Sequence, residues 1–489
     1  MKIYNDYKRL NENYTLLTDE YEYTMANTYL ASGKENQEAV FDVFFRKIPN
    51  GGGYVVMAGL DKVIEYIQNL HFGERELNYF RRKGYNEDFI KYLREFKFTG
   101  DIYAIPDGTP VFPNEPILTV KAPLNQAQVI ETAILCMLNG AMEHSTGARR
   151  IVEAAPEGVG VMEFGARRAD GEGAAIDSSI YGIMAGCIGT SNAMAADMLN
   201  MKAIGTMAHS FIESFDTELE AFITFAKINP HNCTLLVDTY DTLRSGVPNA
   251  IKAFEYLRDN HMDTNHIGIR IDSGDLAYLS KEARRMLDAA GFPQAKICLS
   301  NGLNANTIES LIMQGAKFDI LGVGDNISKP DGRMGCVYKE VALDIDGTLV
   351  PKIKVSEDSI KITNPGLKKL YRAYDKDAGY AIADILTLAG ERISRDNLLL
   401  ISPIDYLKSK KIENFELVEL QKIIFKNGEL VYDDPEIIEK KLYCESQMKT
   451  LYPEVKRINM PHIYPVSGTE KYVELKKTLI LEHKSKIKG

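Results

Sequence analysis

"HIGIRIDSGDLAYLSKEARRMLDAAGFPQAKICLSNG", residues 266–302, reads as one strand–helix–strand unit. A short apolar run, "IGIRI", stops at the polar cluster "DSGD". The next stretch, "LAYLSKEARRMLDAAG", has the spacing of an amphipathic helix and ends at Gly291. A second apolar run, "KICLS", then stops at "SNG". Strand, helix and strand in that order make a βαβ unit, which builds a parallel sheet.

The same pattern extends on both sides. Apolar runs recur at "VGVMEF" (159–164), "KAIGTMA" (202–208), "CTLLVDTYD" (233–241) and "FDILGVGD" (318–325), with helical stretches such as "PNAIKAFEYLRD" and "NANTIESLIMQG" between them. Each run ends in a polar or glycine-rich cluster. In a β/α barrel these are the C-terminal ends of the strands, and they converge on the face that carries the active site. An open doubly wound sheet also gathers its strand ends into a crevice. Six converging clusters favour a closed or nearly closed barrel.

The flanks differ in texture. Before the barrel, a helix is predicted from about Asp19 to Leu30, closed by Gly33, and a strand over "AVFDVFFRKIP". A proline-punctuated β hairpin or meander follows at "DIYAIPDGTPVFPNEPILTVKAP", then a long helical stretch broken at Gly140. After residue 336 the texture is β again, with an Asp-Gly turn at 346–347. The last ~85 residues read as mostly charged amphipathic helix, ending in a lysine-rich tail.

Composition narrows the function. A chain of 489 residues needs two or three domains. No stretch approaches the ~18 apolar residues of a membrane helix. The first 25 residues are rich in acids and lack a signal-peptide core, which points to a cytosolic protein. The net charge of -10, with no basic run longer than "KSKK", argues against nucleic acid. The six cysteines are scattered without a C-x-x-C pair, which argues against a disulfide framework or a zinc site. They read as small buried residues of a reducing compartment.

An acidic protein binds anions only in a locally positive pocket. Arg167 and Arg168, with Arg270 across the barrel, can neutralise a diphosphate, since arginine meets phosphate oxygens in bidentate fashion. "SNG" and "GVGD" offer glycines that let backbone approach a phosphate. "DTYD" (238–241) and "DSGD" (272–275) each place two carboxylates three apart. Taken singly such a group reads first as a helix N-cap; two of them on one barrel face point also to a holder of ribose hydroxyls or Mg²⁺. His209, one of only eight histidines, has three open roles: structural residue, general base, or nucleophile that takes up a phosphoryl group.

"LLTDEYEYTMANTY", "EFGARRADG", "GTSNAMAA", "GTMAHSF", "VDTYDT", "RIDSGDL", "SNGL" and "GCVYKEV" occur in this order. Together they resemble the motifs of nicotinate phosphoribosyltransferases. The resemblance runs from about residue 14 to 345 and continues more loosely through "DPEIIEKKLYCESQMKTLYPEVKRI". It implies an α/β protein of the type II phosphoribosyltransferase kind: an irregular β/α barrel, an N-terminal α/β domain completed by a segment after the barrel, and a helical C-terminal region. The boundaries are 1–140 for the N-terminal domain, 141–335 for the barrel, 336–400 for the β-rich segment that returns to the N-terminal domain and 401–489 for the helical C-terminal region. The implied reaction belongs to NAD salvage. Nicotinate and 5-phosphoribosyl 1-pyrophosphate give nicotinate mononucleotide and pyrophosphate, with Mg²⁺, coupled to ATP hydrolysis through a phosphohistidine. A homodimer sharing its active sites is implied as well.

Carried onto these motifs, the resemblance makes His209 the phosphorylated residue. Phe164 and Arg167 face nicotinate, and Tyr21 closes the ring sandwich from the partner subunit. Ser191 stands where nicotinamide-using relatives have an aspartate; a serine admits a carboxylate that an aspartate would repel. Arg270 holds phosphate or pyrophosphate. Asp272 and Asp238 hold ribose hydroxyls or Mg²⁺. Ser300, Asn301, Gly302, Gly322 and Gly324 cradle the 5′-phosphate. The family usually reads Gly-x-Gly-Thr where this chain has "GVGD", and Asp325 is a poor neighbour for a phosphate.

Overall fold

The computed structural model describes residues 13–356, 358 and 361–487. The first twelve residues, on which part of the reading of the N-terminus rests, and the last two of the lysine-rich tail lie outside them. The chain divides into two compact units. One is the continuous stretch His144–Asp331. The other combines the residues up to Glu143 with those from Gly332 onward.

The continuous unit is built on six strands: β1 (Gly160–Glu163), β2 (Gly189–Thr190), β3 (Cys233–Leu236), β4 (Ile267–Ile271), β5 (Lys296–Ser300) and β6 (Ile320–Val323). They form one sheet in the order β2-β1-β6-β5-β4-β3, and every pair is parallel. Parallel strands covered by crossover helices lack the in–out alternation of a solvated sheet. Accordingly Leu235, Leu236, Ile269, Ile271, Leu299, Leu321 and Val323 are all buried. The connecting helices bury one face each, as Ala250, Phe254 and Leu257 do on Val247–Asp259 and Ala283 and Leu287 on Leu276–Ala289.

Five of the six predicted barrel strands form. The sixth, over 202–208, does not. That stretch is irregular backbone with one bond to the sheet, Ile204 N–H to the Thr190 carbonyl at 2.9 Å. Its apolar signal comes from packing: Ile204 lies so close over Gly189 that a Cβ there would come within 2.5 Å of it. The two-residue strand β2 takes its place in the sheet. As a result β2 and β3 remain unjoined edges, and the sheet is a curled half-barrel in place of a closed one.

The second unit holds a seven-stranded antiparallel sheet. In spatial order its strands are Thr348–Pro351, Cys336–Ile345, Glu38–Phe45, Leu118–Pro123, Asp101–Ala104, Lys422–Lys426 and Glu429–Leu430. Three strands from before the continuous unit thus stand in the middle of this sheet, with two from after it on each side. The Asp-Gly turn forms as predicted, with positive φ at Asp346 (54°) and Gly347 (81°). The N-terminal helix runs Glu20–Ala31, and Gly33 (φ 70°) ends it. A six-stranded sheet of this unit contains Ser409–Glu413, Asn397–Ile401, Val466–Gly468, Ala381–Leu388, Lys368–Asp375 and Phe415–Glu419.

Three further expectations need correction. The stretch 401–489 is not helical throughout. Residues 409–430 are strands, with Asn427-Gly428 in the left-handed region as the turn of a tight hairpin; helix is confined to Ile437–Lys449, Pro453–Lys456 and Glu470–Ile487. Second, the helix Glu131–Ala154 passes through Gly140 unbroken. One interior glycine costs about 1 kcal/mol against alanine, less than the buried Leu138, Ala141 and Met142 beside it contribute. Third, five cysteines are buried but Cys136 is exposed. Among the described residues no helix is long and apolar enough to cross a membrane.

Candidate active site

The parallel register brings the strand ends together. Glu163 pairs with Val323, Ser300 with Gly322, and Leu299 with Ile271. The residues just beyond these pairs therefore stand side by side. They line a cleft of about 180 Å³ that includes Phe164, Arg167, Arg168, Arg270, Asp272, Ser300, Asn301, Gly302, Gly322, Gly324 and Asp325. Three arginines face two aspartates in this lining, so it carries a net positive charge inside a protein of net charge -10.

Each side chain is positioned by its element. Phe164 follows β1, and its N–H bonds the Val323 carbonyl at 2.7 Å. Its ring lies over Gly322, where an added Cβ would come within 2.8 Å of two ring carbons. Gly322 is therefore required by the ring as well as by any phosphate. The "SNG" turn bends back through Asn301 (φ 88°) and Gly302 (φ 60°), with asparagine among the few residues besides glycine that tolerate this backbone.

Arg270 is the centre of a fixed network. Its Nε donates to Ser300 Oγ at 3.0 Å and its Nη1 to Thr206 Oγ1 at 2.8 Å. Its Nη2 meets Asp272 Oδ1 at 3.1 Å, and the Ser300 hydroxyl donates to that same oxygen. The Asp272 N–H donates to Asp238 Oδ2 at 3.0 Å, and Ser273 Oγ donates to the same atom at 2.5 Å. Asp238 Oδ1 accepts from His209 Nε2 at 3.3 Å. The Asp238 side chain is 1% exposed while that of His209 is 41% exposed. In a neutral ring, an Nε2–H that donates to this carboxylate leaves Nδ1 as the lone-pair nitrogen.

The two aspartate pairs divide their labour. Asp275 caps the helix Leu276–Ala289, accepting from Tyr278 N–H at 2.9 Å, and Asp241 accepts from Leu243 and Arg244 N–H at 3.1 and 2.8 Å. The second carboxylate of each pair is a cap. The first, Asp238 or Asp272, belongs to the network.

Models of the nicotinate phosphoribosyltransferase (NAPRTase) family match residues 159–376, those of its N-terminal domain 16–139 and those of its C-terminal domain 367–476. The nicotinate phosphoribosyltransferase of Bacillus subtilis is 41% identical over 99% of this chain and 98% of its own length. The crystal structure of human nicotinic acid phosphoribosyltransferase aligns with a TM-score of 0.82 at 26% identity, covering 94% of this chain and 99% of that one. A nicotinate-nucleotide pyrophosphorylase from Pyrococcus furiosus shares the fold, with a TM-score of 0.67 at 23% identity over 88% and 94% of the two chains. The chain belongs to the nicotinate phosphoribosyltransferase family.

The residues named from the motifs fall into four places. Nine line the cleft: Phe164, Arg167, Arg270, Asp272, Ser300, Asn301, Gly302, Gly322 and Gly324. His209 and Asp238 join it through the hydrogen-bond network. Ser191 is exposed just beyond β2, its N–H on the Glu163 carbonyl at 3.0 Å, and is not among the lining residues. Tyr21 lies in the other unit, exposed on the helix Glu20–Ala31; partial burial and the nearby Glu131 push its phenol pKa upward.

For Mg²⁺ the donor set is informative. The Asp238 side chain is 1% exposed and Asp238 is not among the cleft-lining residues, so this side chain fits poorly as a ligand to a metal carried into the cleft by substrate. Asp272 does fit. Its protein contacts gather on Oδ1, and it lines the cleft. A single carboxylate suits a hard cation carried mainly by substrate phosphates and water.

Several positioning groups lie outside the residues named from the motifs. Thr206 and Ser273 anchor Arg270 and Asp238. Glu163 is fully buried beneath the cleft, accepting from Gly165 N–H, Ser179 Oγ and Thr190 Oγ1. A carboxylate inside an apolar run is the signal that could have found it, because burial requires such partners. Asp325 is met by Arg168 at 3.4 Å, which offsets its charge next to the cleft.

Proposed function

We propose that this enzyme of NAD salvage joins nicotinate to C1 of 5-phosphoribosyl 1-pyrophosphate and couples the reaction to ATP through His209. The observation that carries the reading is the unbroken chain from His209 through Asp238, Asp272 and Ser300 to Arg270 at the rim of a positive cleft. It links a candidate phosphoryl acceptor to candidate phosphate holders.

The nitrogen of nicotinate attacks C1, the C1–O bond breaks, and pyrophosphate leaves. No proton is transferred in this displacement, so placing charge matters more than strong base catalysis. Arg270 holds phosphate oxygens, and Ser300, Asn301, Gly302, Gly322 and Gly324 receive the 5′-phosphate. Phe164 stacks on the pyridine ring and Arg167 meets its carboxylate. Ser191 keeps negative charge away from that carboxylate. Tyr21 of a second copy closes the ring sandwich in a homodimer. Asp272 would hold Mg²⁺, which when bound neutralises the departing pyrophosphate.

His209 Nδ1 attacks the γ-phosphorus of ATP. A P–N bond forms, the P–O bond to ADP breaks, and water later releases inorganic phosphate. The phosphorylated ring adds charge and acceptors beside the substrate. All of this takes place in the cytosol.

Turnover with nicotinate, phosphoribosyl pyrophosphate and Mg²⁺ tests the reading. The expected products are nicotinate mononucleotide and pyrophosphate, formed faster with ATP, with nicotinamide a poor substitute. His209→Ala keeps a basal rate and loses the ATP response. Rapid use of nicotinamide with little use of nicotinate would refute the role of Ser191.

A further inference from the structure

At the end of the parallel sheet opposite the cleft, three ligand-type side chains meet. His231 lies in the turn Pro230–Asn232 that leads into β3, and His266 immediately precedes β4. The register pairs Cys233 with Ile267, and Cys233 N–H bonds the His266 carbonyl at 3.0 Å. The two imidazoles thus stand at the N-terminal ends of neighbouring strands, one of them the sheet edge. Asp263 comes from the loop before β4. Its Oδ2 lies 3.0 Å from His231 Nδ1 and 2.6 Å from His266 Nδ1. Its Oδ1 is fixed by the Asn265 N–H at 2.7 Å.

We propose that His231, Asp263 and His266 form a binding site for a borderline divalent cation of the Zn²⁺, Co²⁺ or Ni²⁺ class, clamping β3 to β4 at the end of the sheet away from catalysis. Two imidazole nitrogens and one carboxylate oxygen lie mutually within 4.8 Å. Bonds of about 2.0–2.2 Å to such a cation fit a triad of this size after it widens by a few tenths of an ångström. The imidazole pair selects these metals over Mg²⁺, which prefers oxygen alone. The backbone hydrogen bond on the second oxygen of Asp263 is the kind of outer contact that orients a metal ligand.

The rings themselves are exposed, so solvent completes the coordination and entry is open. The cysteines take no part, and for that reason cysteine spacing gives no metal signal. The same contacts also fit two imidazole N–H groups donating to one carboxylate oxygen, and the experiment separates the two arrangements.

Untagged full-length protein, stripped with chelator and held in excess Mg²⁺, is titrated with Co²⁺ and followed by its visible d–d absorption. The expected result is one saturable equivalent. His231→Gln and Asp263→Asn each weaken binding at least about tenfold, and His209→Gln does not. His231 is an exposed surface residue, so His231→Gln leaves the core untouched; circular dichroism verifies that each variant is folded. Absence of saturable binding would overturn the proposal, and so would equal binding by the folded His231→Gln and Asp263→Asn variants. The result is independent of whether His209 accepts a phosphoryl group, since no turnover is read.

Discussion

Asp238 orients His209 by accepting from its ring. Its carboxylate is buried and receives the ring, a backbone N–H and a serine hydroxyl. An asparagine there keeps the volume but removes the charge and, with its amide, one acceptor. Asp238→Asn is therefore expected to lower the ATP-stimulated rate by about tenfold to a hundredfold, in the range of losses seen when an orienting carboxylate is removed. The basal rate without ATP changes much less. Steady-state assays with and without ATP check this, and an equal fall in both rates would contradict it. At this scale the sequence was informative about residue types and silent about their division of labour. Arg270, Asp272 and His209 stood at strand ends in recognisable motifs. Nothing in "DTYD" or "DSGD" said that the first aspartate turns into the network and the second caps a helix, because that depends on where the following turn aims each side chain.

At the scale of elements, the helix Glu20–Ala31 carries a buried acid. Glu22 accepts from Thr132 N–H and Oγ1, and its other oxygen is buried without a partner. Burial is the main cause that pushes its pKa up to about 8, against the lowering effect of the Thr132 bonds. The folded state therefore holds this proton more tightly than the unfolded chain. The stabilising contribution is complete below about pH 4.5 and is lost as pH rises through about 8, at a rate of up to about 1.4 kcal/mol per pH unit. Glu22→Gln should abolish that part of the pH dependence and make the protein more stable than the parent at pH 8.5. Melting temperatures at pH 6 and 8.5 measure it; the same decline in both proteins would contradict it. Elements were legible where periodicity was long, as in the βαβ units, or where start and stop signals stood clear, as Asp19 and Gly33 do around the N-terminal helix. They were misread where packing or pairing dominated. Residues 202–208 look like a strand because Ile204 must cover Gly189. The strands of 409–430 look like charged helix because their exposed faces are lysine- and glutamate-rich. The Asn-Gly pair at 427–428 was the overlooked hairpin signal.

At the scale of the whole molecule, the unit that shares residues from both ends of the chain is held by buried charge as well as apolar packing. Arg372 is fully buried, donating to Asp384 at 2.8 and 2.6 Å and to the Pro110 carbonyl at 2.8 Å, and Tyr464 donates to Asp384 at 3.0 Å. Burial and the neighbouring Asp384 drive the pKa of Glu115 upward. Removing the guanidinium leaves Asp384 buried and unbalanced, so Arg372→Ala should cost about 3–5 kcal/mol, read as a lowered denaturant midpoint; an unchanged midpoint would refute this. The changes of texture near 158 and 336 stand 14 and 5 residues from the ends of the continuous unit, His144 and Asp331. The half-open sheet was not legible, since closure depends on a single segment that fails to pair. In the proposed reaction, ATP is coupled to phosphoribosyl transfer through the single imidazole of His209. Incubation with ATP and Mg²⁺, followed by mass mapping under alkaline conditions that preserve P–N bonds, tests it most directly. The expected result is a single phosphoryl group on His209, absent from His209→Ala. A phosphoryl group on any other residue, or none while ATP is being hydrolysed, would contradict the account.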